Sequence, residues 1–456
     1  MSSELLLKNA HIVNEDETID ADVLVKNCKI EKIGHINKYS QNLKVIDIEG
    51  KTVTPGGVDP HVHFDLAVMN TRSCDNFEQG SKEALLGGTT TVIDFVTPSK
   101  DITLLRALEA RRKDIDACYV DYGFHMGVTS WGAETPDDMR LMVEQEGITS
   151  FKTFLAYLDT VGIDDRQLVK VMQNTKELNA LVTIHAENGD LIDHLRDKFI
   201  KEKKFSPKYH ALSRPADTEG EAAFRSLMLA NYLDVPAYLV HMSTKQATDA
   251  LVYFQQKGAQ VYGETCPQYL FEDDNWYEKS FEKASSAVMS PPLRIREEGH
   301  QERLWDALAR GEISTVGTDH CPFTLEQKKK GINDFTKIPN GAAGVKQRMS
   351  VLYNHGVMKD KIDIHQFVAL TSTRASKLFG MYPRKGRIAA GSDADLVVWS
   401  KNPNSLYKNS IYEDLEEVFS PSIVIGGGKI KVENQRLVSN LAQGIYIKRS
   451  APLFNL

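Results

Sequence analysis

The 456-residue chain is poor in cysteine, and its five cysteines are scattered without a Cys-x-x-Cys pair. An odd, scattered set argues against both a disulfide framework and a thiolate zinc site. The sequence therefore predicts a protein of the reducing cytoplasm. The cysteines are Cys28, Cys74, Cys118, Cys266 and Cys321.

The chain also lacks long hydrophobic runs and an excess of positive charge. No stretch approaches the roughly 18 apolar residues of a membrane span. The first residues lack the basic segment and the long apolar core of a secretory signal. A net charge of -7 gives no reason to expect nucleic acid or an anionic membrane as a partner. We therefore expect an enzyme that acts on a small molecule.

Both chain ends show a similar pattern of short β-strands separated by turns. Short β-rich runs separated by turns cover residues 4–13, 22–33 and 43–53, and the pattern returns at 386–399, 422–425 and 429–432. A chain of this length exceeds the usual single-domain ceiling of about 250 to 300 residues. We predict a small β-sandwich domain built from residues 1–54 and 384–456, with an apolar tail at 451–456 that either docks on a neighbouring subunit or frays.

Between these ends, β-branched strands alternate with amphipathic stretches such as residues 164–178 and 219–233. This alternation is typical of α/β proteins with a parallel sheet. It favours a (β/α)8 TIM barrel over residues 55–383, although a doubly wound open sheet would give a similar pattern. The eight candidate strands are residues 53–64, 89–96, 120–128, 148–155, 181–186, 237–241, 260–265 and 313–318.

Six residues with metal-site chemistry lie in or next to these strands, at ends that share one face of a barrel. Alternate residues on a strand point the same way, so His61 and His63 can bind one ion, although two solvent-facing histidines would give the same pattern. The others also have ordinary structural explanations, such as a rim lysine or a helix cap. The six are His61, His63, Lys152, His185, His241 and Asp319.

Four imidazoles and one carboxylate suit Zn²⁺ or a similar divalent ion, and this number of ligands is enough for two ions. Lys152 is the exception, because an ammonium group repels cations and cannot act as a ligand. Near a divalent ion, it must either lose its proton or be chemically converted.

The chain resembles the cyclic amidohydrolases, and specifically the dihydropyrimidinase/D-hydantoinase family, over nearly its whole length. The motifs that carry this resemblance occur in the expected order. They are Pro55-Gly-Gly-Val-Asp-Pro-His-Val-His63, Gly87-Gly-Thr-Thr90, Ser150-Phe-Lys-Thr-Phe-Leu-Ala-Tyr157, Ile184-His-Ala-Glu-Asn188, Tyr209-His-Ala-Leu-Ser-Arg-Pro215, Val240-His-Met-Ser243, Glu264-Thr-Cys-Pro-Gln-Tyr269, Ser290-Pro-Pro-Leu-Arg294, Gly317-Thr-Asp-His-Cys-Pro322, Pro339-Asn-Gly341 and Gly386-Arg-Ile-Ala-Ala-Gly-Ser-Asp-Ala-Asp395.

The resemblance implies a centre of two divalent metal ions with hydroxide between them. It implies that CO2 converts Lys152 to a carbamate that bridges the ions. One ion would be bound by His61, His63 and Asp319, and the other by His185 and His241. The resemblance further implies a homotetramer, or a dimer with similar contacts.

The resemblance also assigns roles around the substrate. Asp319 would carry the proton from the attacking hydroxide to the leaving nitrogen, and Tyr157 would donate a hydrogen bond to the oxyanion. Ser290 and Asn340 would hold the cyclic -NH-CO-NH- edge through backbone groups. The expected reaction is hydrolysis of dihydropyrimidines or 5-substituted hydantoins to N-carbamoyl amino acids.

Three alternatives remain for comparison. Dihydroorotase is disfavoured, because Asp65 stands where those enzymes carry an arginine for their substrate's carboxylate. Allantoinase is the main alternative, since its ring is also neutral. A non-enzymatic scaffold protein, like the collapsin-response mediators, is less favoured because all six ligand positions are competent. Residues 64–77 depart from the family pattern, which leaves ring size and the 5-substituent open.

Overall fold

The computed structural model describes residues 4–39, 43–407, 410–438 and 442–456. Its first five strands lie at the N-terminal end. They are β1 to β5, at Leu5–Val13, Thr18–Lys26, Lys29–Gly34, Lys44–Asp47 and Thr52–Pro55. The predicted run 22–33 is split between β2 and β3, because Asn27 and Cys28 adopt positive φ angles of 50° and 64° and reverse the chain.

Ten strands and most helices follow in the middle of the chain. Strands β6 to β15 are Gly57–Val62, Ala67–Val68, Thr71–Arg72, Thr89–Val96, Asp121–Gly127, Ser150–Phe154, Leu181–His185, Ala237–Leu239, Val261–Thr265 and Thr315–Val316. The C-terminal strands β16 to β19 are Leu396–Leu406, Glu416–Gly426, Lys429–Glu433 and Arg436–Leu437.

The helices connect and cover the barrel strands. Helices α1 to α15 are Phe77–Leu86, Leu104–Lys113, Thr135–Glu144, Asp165–Glu177, Gly189–Lys201, Lys208–Leu212, Ala216–Leu233, Lys245–Gln256, Pro267–Phe271, Phe281–Ser286, His300–Ala309, Leu325–Lys328, Arg348–His355, Ile364–Val368 and Arg374–Leu378. The predicted helical stretches 164–178 and 219–233 correspond to α4 and α7. Asp164 begins α4 with a capping box to Gln167.

Eight parallel strands form the barrel predicted from the sequence, in the order β6, β9, β10, β11, β12, β13, β14 and β15. Each of the eight predicted ranges contains one of them. The Asp319 backbone N–H donates to the His61 carbonyl at 2.9 Å and that of His63 to the His320 carbonyl at 2.8 Å. These bonds join the two edges of the sheet, so the barrel is nearly closed. A doubly wound open sheet is therefore wrong.

The seam of the barrel is held by a buried ion pair. Arg348 donates to the carbonyls of Val58 and Val316, on the first and last barrel strands, at 3.1 and 2.9 Å. Its Nε lies 3.8 Å from Asp59 Oδ2, and both side chains are fully buried. Asp59 also accepts from the Thr318 hydroxyl at 2.7 Å. This network fixes the segment that ends at His61 against the segment that leads to Asp319.

The two chain ends form one β module, as predicted. Its strands are hydrogen-bonded into a single mixed sheet, in which β16 pairs antiparallel with β5 and so joins the two halves of the module. Side chains from both ends share one apolar cluster, which includes Leu7, Val23, Leu396 and Ile425.

The C-terminal segment docks on the barrel of its own chain, which corrects the expectation that the tail frays, while its contact with a neighbouring subunit stays a prediction. The Tyr122 backbone N–H in β10 donates to the Ile445 carbonyl at 3.0 Å, and the Ile447 N–H donates to the Tyr122 carbonyl at 2.8 Å. The Phe454 ring stacks on Tyr262 with ring centroids 5.8 Å apart. Arg449 is buried and donates to the Phe124 carbonyl and to the Ser150 hydroxyl. In the parts of the chain that the structure describes, no helix is long and apolar enough to cross a membrane.

Candidate metal centre

Three of the predicted ligands meet at the seam of the barrel. The Nε2 atoms of His61 and His63 lie 3.2 and 3.1 Å from the same oxygen, Asp319 Oδ1. Ligand atoms of these three residues all fall within 4.8 Å of one another. His61 lies near the end of strand β6 and Asp319 lies in the segment after β15, so closure of the barrel brings them together.

His185 and His241 form a second pair beside the first group. His185 Nδ1 lies 2.9 Å from His241 Nε2, and the rings of His241 and His61 have centroids 5.4 Å apart. Burial lowers the pKa of His61, His185 and His241 below the ordinary value. These imidazoles are therefore neutral at neutral pH, which is the form that binds metal ions.

Lys152 lies in the same end of the barrel but contacts aromatic rings rather than the predicted ligands. Its Nζ is 5.1 Å from the centroid of Phe95 and 5.2 Å from that of Phe154. Within the described residues, no carboxylate oxygen forms an ion pair with it. Burial lowers the pKa of Lys152 to about 7 against the opposing charges of Asp319 and Glu264.

Glu264 was not singled out from the sequence as a site residue, yet it supports two of the histidines. Its Oε1 accepts from His61 Nδ1 at 2.7 Å and from the His241 backbone N–H at 3.0 Å, while Tyr238 donates to Oε2 at 2.9 Å. Burial raises the pKa of Glu264 to about 7. A Cβ on Gly317 would lie 2.7 Å from Glu264 Oε2, so that position requires glycine. The available signal was a glutamate inside a buried strand.

A buried ion pair holds His185 in the same way. His185 Nε2 lies 2.7 Å from Glu187 Oε2, which also accepts from Arg214 Nη1 at 2.6 Å. Burial opposes ionisation of Glu187, but the Arg214 charge outweighs it and lowers the pKa of the carboxyl group. The pair fixes the ring so that Nδ1 faces His241. Glu187 follows His185 by two residues, just beyond the end of β12.

The three predicted substrate residues lie together. The Asn340 amide donates to Ser290 Oγ at 3.0 Å. Burial raises the pKa of the Tyr157 hydroxyl, while hydrogen bonding with Ser290 and Asn340 acts in the opposite direction. The Tyr157 ring lies 5.5 Å from that of His185, which connects this group to the histidines.

Three residues of the site have strained backbone conformations. Tyr157, His241 and Asp319 have positive φ angles of 62°, 40° and 53°. Residues other than glycine rarely adopt this left-handed region, and such strain is a mark of functional positions.

The donor set fits divalent cations. Nitrogen and carboxylate oxygen are the ligands that Zn²⁺ and similar ions prefer. His61 Nε2 and His241 Nδ1 are buried without a hydrogen-bond partner in the described residues, which is costly for polar atoms. A cation bound by His61 Nε2 would satisfy the first of these atoms, while Glu264 holds the opposite ring nitrogen.

Comparison of the sequence with known proteins identifies its family. Residues 52–431 match the model of the amidohydrolase family. The chain is 40% identical to the D-hydantoinase of Geobacillus stearothermophilus, over 98% of this chain and 96% of that protein. It is 39% identical to the dihydropyrimidinase of Arabidopsis thaliana, over 98% of this chain and 86% of that protein.

Comparison of the fold with solved structures gives the same family. The crystal structure of a dihydropyrimidinase from Brevibacillus agri superimposes with a TM-score of 0.96 at 39% sequence identity. The match covers 98% of this chain and 99% of that one.

Proposed function

Because this chain belongs to the amidohydrolase family, we propose that it hydrolyses the cyclic amide bond of dihydropyrimidines or 5-substituted hydantoins to give N-carbamoyl amino acids. The names of its relatives support this reaction and do not favour allantoinase. The observation that carries the proposal is the meeting of His61, His63 and Asp319 beside the facing nitrogens of His185 and His241.

We propose that the centre holds two divalent ions, and that these are Zn²⁺. His61, His63 and Asp319 would bind one ion, and His185 and His241 the other. The support is the borderline character of the donors and the neutral state that burial gives the imidazoles.

Lys152 would join both groups as a carbamate. The Nζ lone pair attacks the carbon of CO2, the nitrogen releases one proton, and the product is an anion with two oxygens. This step requires a neutral amine. Burial lowers the pKa of Lys152 to about 7, so a large fraction of the side chain has the required form near neutral pH.

When bound, the ions lower the pKa of water toward 7 and polarise the substrate carbonyl. Asp319 would then move the proton. Burial raises the pKa of its carboxyl group, but the neighbouring His61 and His63 outweigh this effect and lower it. Asp319 is therefore ionised at neutral pH, and in this form it would accept a proton and deliver it to the departing ring nitrogen, which must leave as an amine.

Tyr157 would donate a hydrogen bond to the oxyanion that forms on the substrate carbonyl. Burial raises the pKa of its hydroxyl above the ordinary value, so the group stays protonated and remains a donor. Ser290 and Asn340 would hold the -NH-CO-NH- edge of the ring, and their contact with each other supports this shared role.

We also propose two domains, with boundaries at 54/55 and 383/384. Strand Thr52–Pro55 pairs in the terminal sheet, whereas Gly57–Val62 belongs to the barrel. The five free cysteines are consistent with the cytoplasm as the site of action.

A homotetramer is the proposed assembly. On α7, Phe224, Met228 and Tyr232 follow one another at four-residue spacing and are all exposed, with Tyr232 at 85%. An exposed apolar stripe of this kind is typical of a subunit interface. Sedimentation of Tyr232→Ser together with Met228→Ser should give smaller assemblies than wild type.

The test of function is a substrate panel of dihydrouracil, hydantoin, 5-phenylhydantoin, allantoin and dihydroorotate, with bound metal measured in parallel. We expect turnover of the first three and about two ions per chain. The control is Lys152→Ala, which should be nearly inactive. Turnover of allantoin alone would overturn the substrate assignment, and full activity of the alanine variant would overturn the mechanism.

A further inference from the structure

Lys328 is a buried lysine that forms no ion pair with a carboxylate within the described residues. Its side chain is 2% exposed. Its Nζ donates to three backbone carbonyls, those of Val288, Pro339 and Gly341, at 3.1, 2.7 and 2.9 Å. An ammonium group has three N–H donors, so this arrangement uses all of them.

The three carbonyls belong to two loops. One is the loop that contains Ser290, and the other is the loop that contains Asn340. The Gly341 backbone N–H also donates to the Val288 carbonyl at 2.9 Å. Lys328 therefore lies at the point where the two substrate-binding loops meet and joins one to the other.

In the first loop, the carbonyls around Ser290 are all occupied. His210 Nε2 donates to the Met289 carbonyl and the Tyr269 hydroxyl to the Pro291 carbonyl, both at 2.8 Å. Together with the bond from Lys328 to Val288, these contacts leave the carbonyl of Ser290 without a donor among the described residues. That carbonyl is free to accept a hydrogen bond from a ligand.

The second loop repeats this pattern. Lys328 binds the carbonyls on either side of Asn340, but the backbone N–H and carbonyl of Asn340 have no partner in the described parts of the chain. The Asn340 side chain points to Ser290 Oγ at 3.0 Å. The two loops therefore offer one free acceptor at Ser290 and a free donor and acceptor at Asn340, a set that matches the N–H and C=O groups of a cyclic ureide edge.

We propose that Lys328 is a positioning residue for substrate binding, which sets the distance and orientation of the Ser290 and Asn340 backbone groups. This inference rests on the proposed function and adds a residue that does not touch the substrate. Burial lowers the pKa of Lys328 to about 7, because a buried ammonium group without a carboxylate partner is costly, and an apolar side chain would fill the same space at lower cost. The convergence on three carbonyls explains why a lysine is used here, since its three donors rotate freely on a compact group.

The proposal makes a specific kinetic prediction for Lys328→Met. Removing three hydrogen bonds from a charged donor should let the loops drift apart, so that KM rises about tenfold or more. We expect a smaller change in kcat and about two metal ions per chain, as in wild type. The increase in KM should be similar for dihydrouracil, hydantoin and 5-phenylhydantoin, because the bound edge is common to all three.

Two further variants make the test decisive. Lys330→Met is the matched control, because Lys330 is exposed and two residues away, and its kinetics should equal those of wild type. Lys328→Gln retains an N–H donor and should give an intermediate KM. If Lys328→Met does not fold, Lys328→Gln carries the comparison.

The results separate this proposal from the others. An unchanged KM in a folded Lys328 variant contradicts it, and so does an increase confined to one substrate. Failure of both Lys328 variants to fold also contradicts it, because the lysine would then be needed for folding. If wild type hydrolyses none of the cyclic amides, the proposed function fails instead.

Discussion

Glu264 Oε1 lies 2.7 Å from His61 Nδ1, although the two residues are 203 positions apart in the sequence. The carboxylate fixes the imidazole tautomer that leaves Nε2 free to bind an ion. Replacing a residue that hydrogen-bonds a metal ligand typically lowers metal affinity by about 10- to 100-fold.

Glu264→Gln should therefore weaken metal binding. The amide replaces the carboxyl group that accepts the hydrogen bond from His61 Nδ1 and orients the ring, so we expect affinity to fall about 10- to 100-fold. Equilibrium dialysis against a competing chelator measures this change directly. The matched control is Glu326→Gln, a substitution at an exposed glutamate. Equal affinity in Glu264→Gln and wild type would show that Glu264 does not support the centre.

Tyr157→Phe should lower kcat without loss of metal. The change removes one hydroxyl donor, and loss of an oxyanion donor typically costs about 2.7 to 4 kcal/mol, or roughly 100- to 1,000-fold in kcat. Steady-state kinetics and elemental analysis of the same sample provide the test. Tyr39→Phe, at an exposed tyrosine outside the site, should behave like wild type. If kcat of the Tyr157 variant stays within twofold of wild type, the oxyanion role is wrong.

Much of this arrangement was predictable from the sequence. The alternation of strands and amphipathic stretches predicted the barrel, and its strand ends predicted which histidines would meet. The β-rich texture of both ends likewise predicted a module that joins them. These features are local patterns, and one rule about parallel barrels was enough to combine them.

The supporting residues could not be found in this way. Glu264, Arg214 and Lys328 take their roles from partners that are distant in sequence, and nothing in their own neighbourhoods identifies those partners. The docking of the C-terminal segment was missed for a related reason. An apolar tail indicates that a surface will be covered, but its sequence does not say which surface.

Removal of residues 445–456 should destabilise the barrel. The segment contributes backbone hydrogen bonds to β10 and packs Phe454 on Tyr262. Its loss exposes apolar surface to water, which costs about 25 cal/mol of unfolding free energy for each Å² exposed. We expect a lower midpoint in urea unfolding. Removal of only Asn455 and Leu456, both exposed, is the control and should have little effect. Identical midpoints for the full chain and the long truncation would show that the segment does not stabilise the fold.

The stability contributed by Asp393 should disappear in acid. Burial raises the pKa of Asp393, but Lys385, Lys29 and Arg384 outweigh this effect and lower it from 3.8 to about 2. A carboxyl group whose pKa is lowered in the folded state stabilises the protein at pH values above the pKa of the unfolded state. This contribution is lost as the pH falls through the pKa of the folded state.

The corresponding measurement compares urea unfolding of wild type and Asp393→Asn. The difference in unfolding free energy should be constant above pH 5 and shrink as the pH falls from about 4 to about 2. Asp159→Asn, at an exposed position, is the control and should differ little from wild type at any pH. A difference that grows toward acid would contradict the assignment.

A crystal structure of the metal-loaded protein tests the central claim most directly. We predict density for a carboxylate on Lys152 Nζ and two ions, one bound by His61, His63 and Asp319 and the other by His185 and His241. A bare Nζ, or ions held by other residues, would contradict the account.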